Sequence, residues 1–290
     1  MDLLAVGVAT IDIVSSVERY PDEDSEVRAL DQRTAPGGNA VNTLLRLSRL
    51  GHRCSWAGAV ADDRESDWLM GQLKREGVET RFGERYPGTR TPLSCITLSR
   101  KSGSRTIVHH RRLPEFSGRA FERLGLEGFD WVHFEGRNVP DLVGMLTRAA
   151  SVTGLTCSLE VEKQRPGIEA LFPLPDLLLF SRAYARGRGF ADAGAFLETV
   201  RAQAGDGAVL VCAWGEQGSW GMDRAGRVCH APAVAPPQVV DTLGAGDVFN
   251  AGVIHALGAG EALPEALRFA NRLAGEKCGY RGIVREAPDA

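Results

Sequence analysis

The stretch Asp241-Thr242-Leu243-Gly244-Ala245-Gly246-Asp247-Val248-Phe249-Asn250-Ala251-Gly252 decides how this chain is read. Gly244, Ala245 and Gly246 are small enough for the backbone to turn tightly and approach a ligand closely. The residues after them predict a helix over 246–258. A helix opened by small residues aims free N–H groups and its positive dipole end at whatever lies before it. That is a hole for a phosphoryl group. A carboxylate at Asp247 would repel a phosphate, but it suits a base that takes the proton of an attacking hydroxyl. Taken alone, the same residues also fit an aspartate that merely caps a helix.

A second stretch lies far upstream: Gly37-Gly38-Asn39-Ala40-Val41-Asn42. Ala40, Leu44, Leu47 and Leu50 fall on one helical face, so a helix is expected over 37–50. Asn39 and Asn42 are three apart at its start and share a face. Amides both donate and accept, which matches hydroxyl-rich ligands such as sugars. An Asn-capped helix after a Gly turn explains the pattern equally. Asp12 follows the first apolar run, Leu3 to Val6, and so sits where open α/β sheets bind ligands.

Between these motifs, apolar strands alternate with helical patterns. Strands are predicted at Cys54 to Val60, Trp131 to Glu135, Thr156 to Val161, Leu177 to Phe180 and Val209 to Ala213. Helices are predicted at Trp68 to Glu76, Asp141 to Ala150 and 263 to 277. Alternation of this kind implies a doubly wound, mostly parallel α/β sheet. Two segments, 11–33 and 93–112, break the rhythm with strands of polar outer face, the second turning at Lys101-Ser102-Gly103. We read the 290 residues as one α/β domain with these segments inserted as a small β-sheet lid.

Composition narrows the function classes. Lys and Arg number 34 against 37 Asp and Glu, a net charge of -3, so no global field draws nucleic acid or an anionic membrane. The six cysteines form no CxxC pair, and Cys229 with His230 alone does not make a metal site. A reducing compartment is expected. The opening MDLLAVGVATIDIV lacks a basic leader and a cleavage site, so the expected location is the cytoplasm. A dinucleotide-dependent oxidoreductase would need GxGxxG after the first strand, where Gly7-Val8-Ala9-Thr10-Ile11-Asp12 stands instead.

The two glycine motifs, in this order and near opposite ends of the chain, resemble the paired signatures of the ribokinase-like (pfkB) carbohydrate kinases. Further stretches resemble the ketohexokinase-like branch of that family: Tyr20-Pro21, Arg105-Thr106-Ile107-Val108, His133-Phe134-Glu135-Gly136-Arg137-Asn138, Glu160-Val161-Glu162-Lys163 and Cys278-Gly279. The resemblance implies ATP-dependent transfer to a ketohexose, with D-fructose and its 1-hydroxyl as the expected acceptor. Residue by residue, it implies Asp247 as base, with Gly244, Ala245 and Gly246 as the anion hole and Arg105 reaching the phosphates. It implies sugar contacts from Asp12, Gly38, Asn39 and Asn42. Asp24 would reach the sugar site of a second subunit, making a homodimer through the lid. Trp214, Gly215, Glu216 and Gly218 would lie on the nucleotide side, with Asn271 and Cys278 bordering the adenine. ATP and Mg2+ are the implied cofactors, with potassium near Asp241. One departure stands out: after the strand at 177–180 this chain has Ser181-Arg182-Ala183-Tyr184 where many family members carry Asn-x-x-Glu. The metal ligands are therefore unassigned. Ribose, adenosine or a modified sugar as substrate, and a non-catalytic sensor on the same scaffold, are the remaining readings.

Overall fold

A computed structural model describes residues 1–101 and 103–285. The chain runs through β1 (Asp2–Val6), β2 (Thr10–Val17), β3 (Asp31–Gly37), α1 (Asn39–Arg49), β4 (Arg53–Ala57) and β5 (Ala59–Ala61). It continues through α2 (Arg64–Arg75), β6 (Val78–Glu79), β7 (Glu84–Tyr86), β8 (Leu93–Ser99), β9 (Arg105–His110) and α3 (Gly118–Glu122). Next come β10 (Trp131–Glu135), α4 (Val139–Ala150), β11 (Thr156–Val161), β12 (Leu177–Ser181), α5 (Arg182–Gly187) and α6 (Ala193–Arg201). The remainder is β13 (Val209–Ala213), β14 (Ser219–Met222), β15 (Val228–Ala231), α7 (Ala245–Gly258) and α8 (Leu263–Cys278).

Nine strands make one sheet in the order β15-β14-β13-β12-β11-β10-β1-β4-β6. Seven are parallel; β14 and β15 add an antiparallel edge. Successive side chains on a strand point to opposite faces, and the core divides accordingly. Leu4, Phe134, Leu159, Leu178 and Leu210 face α3 to α6 in one cluster. Leu3, Ala5, Leu177, Leu179 and Val211 face α1, α2, α7 and α8 in the other. Burial on both faces explains the near-continuous apolar strands. Each Leu so buried contributes about 1.5–3 kcal/mol.

The sheet is the doubly wound layer expected, with two local differences. The run 54–60 is broken at Gly58, where a Cβ would meet the Trp56 ring and the Gly7 carbonyl at 2.2 and 2.4 Å. The chain therefore leaves the main sheet and re-forms as β5, which pairs with β7. The hairpin β14–β15 and the helices α5 and α6 carry no glycine motif and had escaped the sequence pattern.

A second sheet has the order β3-β2-β8-β9. β2 pairs antiparallel with β3 and parallel with β8, and β8 pairs antiparallel with β9. Residues 26–30, expected to be extended, lie outside any strand, and β3 instead runs on to Gly37, directly before α1. Ser102, in the expected turn, lies outside the described residues. The inner face of this sheet carries Val14, Ile96 and Leu98, which pack with Leu243. No helix among the described residues is long and apolar enough to cross a membrane.

Candidate active site

The C-terminal ends of β1, β10, β11, β12 and β13 open onto a cavity of about 530 Å³, roofed by β2, β8 and β9 of the second sheet. This is the crevice where open α/β sheets take their ligands. Two glycine-opened helices converge on it. Gly38, with φ +104°, precedes α1, and a Cβ there would strike the Val8 carbonyl at 2.0 Å. Gly244, with φ +75°, precedes α7. Neither helix has a side-chain cap at its start, so their first N–H groups carry no cap from a side chain.

Asp247 lies in the first turn of α7 and is only 7% exposed. Its Oδ2 accepts a hydrogen bond from Asn42 Nδ2 at 2.7 Å. Burial pushes its carboxyl up to about 8; the Asn42 hydrogen bond opposes this, and Glu162, Glu135 and Asp12 add repulsion. Asp12, on β2, is lifted to about 6 by burial, with Ser94 and Arg33 opposing. Asp12 Oδ1 and Asn42 Oδ1 are buried without a partner. Unpaired buried acceptors are costly unless a ligand meets them, and here they border a cavity sized for a small polar molecule. Asn39 Nδ2 donates to Glu162 Oε2 at 3.3 Å.

Asp12, Gly38, Asn39, Asn42, Arg105, Gly215, Gly244, Gly246 and Asp247 all line this cavity, although they come from five regions of the chain. Ala245 is the first residue of α7 between the two glycines. Arg105, on β9, donates from Nη1 to Thr242 Oγ1 at 3.0 Å, which bridges the second sheet to the segment before α7. The others lie elsewhere. Asp24 sits on an exposed loop with φ +56°. The Trp214 ring is 2% exposed and packs on Trp220. Glu216 points outward to Arg182 at 2.9 Å. Gly218 holds the tight turn into β14, where a Cβ would meet the Ala231 carbonyl. Asn271 Nδ2 ties α8 to the Ala231 and Pro232 carbonyls. The Cys278 carbonyl accepts from Val240 and Asp241 N–H.

Glu135, Arg137, Glu160 and Lys163, from the stretches that resemble the family, also line the cavity. Glu160 is buried, accepts from Asn250 Nδ2 at 3.0 Å, and keeps Oε2 unpaired. Burial holds its carboxyl well above the usual range, with Asp247 and Glu135 adding to the shift. Asn250 lies three residues after Asp247 on α7, so helical spacing would have found it. Ser94 and His109 had no such signal, since only the second sheet brings them in.

Among the described residues, no cluster of three or more ligating side chains stands ready for a metal. Mg2+ commonly keeps several waters and is bound through substrate phosphates. The Asp241 carboxylate, in the segment where potassium was expected, is already engaged. Its Oδ2 already meets Arg33 at 2.8 Å, Gly282 N at 3.1 Å and Lys277 Nζ at 3.4 Å, and its Oδ1 accepts from Leu243 N.

A doubly wound sheet with an anion hole and a buried carboxylate at its carboxyl edge defines a ribokinase-like phosphotransferase. The pfkB family of carbohydrate kinases matches residues 1–290, and the chain belongs to it. It is 38% identical to mouse ketohexokinase over 97% of each chain. It is 26% identical to Bacillus subtilis ribokinase, over 94% of this chain and 91% of that one. Among solved structures, a putative ribokinase from Agrobacterium tumefaciens superposes with a TM-score of 0.85 at 26% identity, covering 97% of this chain and 92% of that one. The protein is an ATP-dependent sugar kinase.

Proposed function

We propose that the enzyme transfers the γ-phosphoryl group of ATP to a ketohexose, with D-fructose and its 1-hydroxyl as the acceptor. The observation that carries this reading is the meeting of the Asp247 carboxylate, the N-terminus of α7 and the unpaired acceptors of Asp12 and Asn42 in one cavity. The similarity to mouse ketohexokinase supports the sugar.

The sugar lies along α1 and β2. Asp12 and Asn42 accept from its hydroxyls, and Asn39 donates. Asp247 then takes the proton of the attacking hydroxyl. A carboxyl held near pH 8 by burial is a stronger base than an exposed aspartate, which suits a proton transfer near neutrality. The N–H groups after Gly244 and Gly246 meet the charge that develops on the transferring group, and Arg105 adds a guanidinium. Mg2+ arrives with ATP and shields its phosphates. Gly215, at the cavity wall, lies on the nucleotide side with the loop through Gly218.

The same reading includes a cytoplasmic homodimer built through the second sheet. All six residues of β9 are exposed, and Ile107 and Val108 are 47% and 68% exposed. Asp24, on its exposed loop, would then face the partner's cavity.

The test is an assay of purified protein with ATP and, in parallel, fructose, tagatose, ribose and adenosine, measuring ADP and phosphorylated product. Fructose 1-phosphate as the main product supports the reading, and a clear preference for ribose or adenosine sinks it. Asp247→Asn should lose turnover and keep sugar binding.

A further inference from the structure

The segment Asp241–Leu243 leads straight into the anion hole, and the second sheet grips it at three successive residues. Arg33, on β3, donates to Asp241 Oδ2 at 2.8 Å. Arg105, on β9, donates to Thr242. Leu243 packs with Val14, Ile96 and Leu98 on the inner face of the same sheet. Both edge strands and the centre of that sheet therefore converge on one short segment.

The main body holds the same segment from below. Lys277, at the end of α8, is fully buried, and its Nζ donates to the Asp241 carbonyl at 2.5 Å. A buried ammonium is stable only with such partners. Asp241 is itself 1% exposed. Its Oδ1 caps Leu243 N–H, so the carboxylate sets the local turn that precedes Gly244.

Arg33 also belongs to the sugar side. Asp12, Arg33, Asn42 and Leu243 together line a second cavity of about 960 Å³ behind the first. β3 pairs with β2, the strand that carries Asp12. Arg33 thus ties the sheet that carries Asp12 to Asp241, three residues before Gly244.

We propose that Arg33 is a positioning residue that holds the segment leading into the anion hole, through the Asp241 carboxylate anchored on Lys277. The inference rests on the sugar-kinase reading above. Its functional content is that the first N–H groups of α7 keep their geometry only while Arg33 joins the second sheet to Asp241.

Arg33 is partly exposed, at 26%, so its replacement is tolerated by the fold better than that of Lys277. The experiment compares wild type, Arg33→Met and Arg33→Lys. Amide hydrogen exchange across residues 241–247 is measured without substrate, and ADP and sugar phosphate are measured together with fructose. In Arg33→Met the 241–247 amides should exchange at least about threefold faster than in wild type, with the main-sheet strands unchanged. The kcat should fall about tenfold, some 1.4 kcal/mol, with sugar KM within about threefold. Arg33→Lys should recover part of the kcat and most of the exchange protection. Unchanged exchange at 241–247 overturns the role of Arg33, and so does a wild-type kcat in Arg33→Met. If the wild type phosphorylates no sugar, the kinase reading falls instead, and the exchange measurement alone decides whether Arg33 holds the segment.

Discussion

α1 and α7 begin alike and do different work. Each starts at a glycine of positive φ, each lacks a side-chain cap, and each points its first turn into the same cavity. They pack against each other, and Asn42 of α1 donates directly to Asp247 of α7. α1 offers neutral amides, which can read hydroxyls without changing charge. α7 offers one buried carboxylate beside its positive end, which can take a proton and leave the hole free for phosphate. In the proposed reaction one helix recognises and the other reacts, and the side chains of Asn39, Asn42 and Asp247 make that difference.

The largest test of that contrast is Asp247→Asn. It keeps the shape and the hydrogen bond partner Asn42, and removes only the base. We expect kcat to drop about 10²–10⁴-fold, as for other general bases, with the sugar dissociation constant, read by calorimetry, within a few-fold. A variant that kept its turnover would erase the distinction between the helices.

The two opening glycines should also separate. At Gly38 a Cβ meets backbone, the Val8 carbonyl, whereas at Gly244 it meets the tip of the Ile283 side chain at 2.2 Å. Gly38→Ala should therefore lose about 3 kcal/mol or more of stability, and Gly244→Ala about 1–2 kcal/mol, since a side-chain tip can move. Urea midpoints at constant slope would measure both. Equal losses would mean that the α1 entry is no more constrained than that of α7.

Asn42→Ala removes the hydrogen bond that favours the ionised form of Asp247. The carboxyl should rise further, and kcat/KM at pH 7 should fall about tenfold. Raising the pH should restore part of the loss, whereas Asn39→Ala should respond little to pH. In the wild type, the carboxylate must be ionised to act, so kcat/KM should climb with pH and level off above about 8.

A last effect concerns stability. Asp247 is lifted from 3.8 to about 8 on folding. The folded chain thus holds this proton more tightly than the unfolded one, and the stability contributed by protonated Asp247 is lost progressively as pH rises from 3.8 through about 8. Asp247→Asn removes that loss, so its melting temperature relative to wild type should be higher at pH 9 than at pH 5. A difference independent of pH would place the Asp247 carboxyl near its ordinary value.

The strands of the main sheet were legible because burial on both faces demands unbroken apolar runs. Trp131–Glu135, Thr156–Val161 and Val209–Ala213 fall where the pattern set them. α7 and α1 were legible through their glycines. The edge hairpin β14–β15 was not, since Trp220, His230 and Cys229 make no clear alternation. The extent of β3 was missed because Gly37 was read with the helix expected over 37–50, while pairing with β2 holds it in the strand. Asp247, Asp12, Asn39 and Asn42 stood out through chemistry beside small residues. Arg33 and Lys277 did not, because an arginine on a polar strand and a lysine near a helix end look like solvated surface.

By itself, the sequence determined the alternating α/β layers, the two glycine-led helix starts and the carboxylate at position 247, because local sterics and periodic burial are written residue by residue. Only the tertiary structure decided that Asn42 touches Asp247 across 205 positions of sequence, that burial raises the carboxyls, and that the second sheet grips Asp241–Leu243. Those depend on desolvation and on contacts between distant segments, and neither exists until the chain has closed on itself.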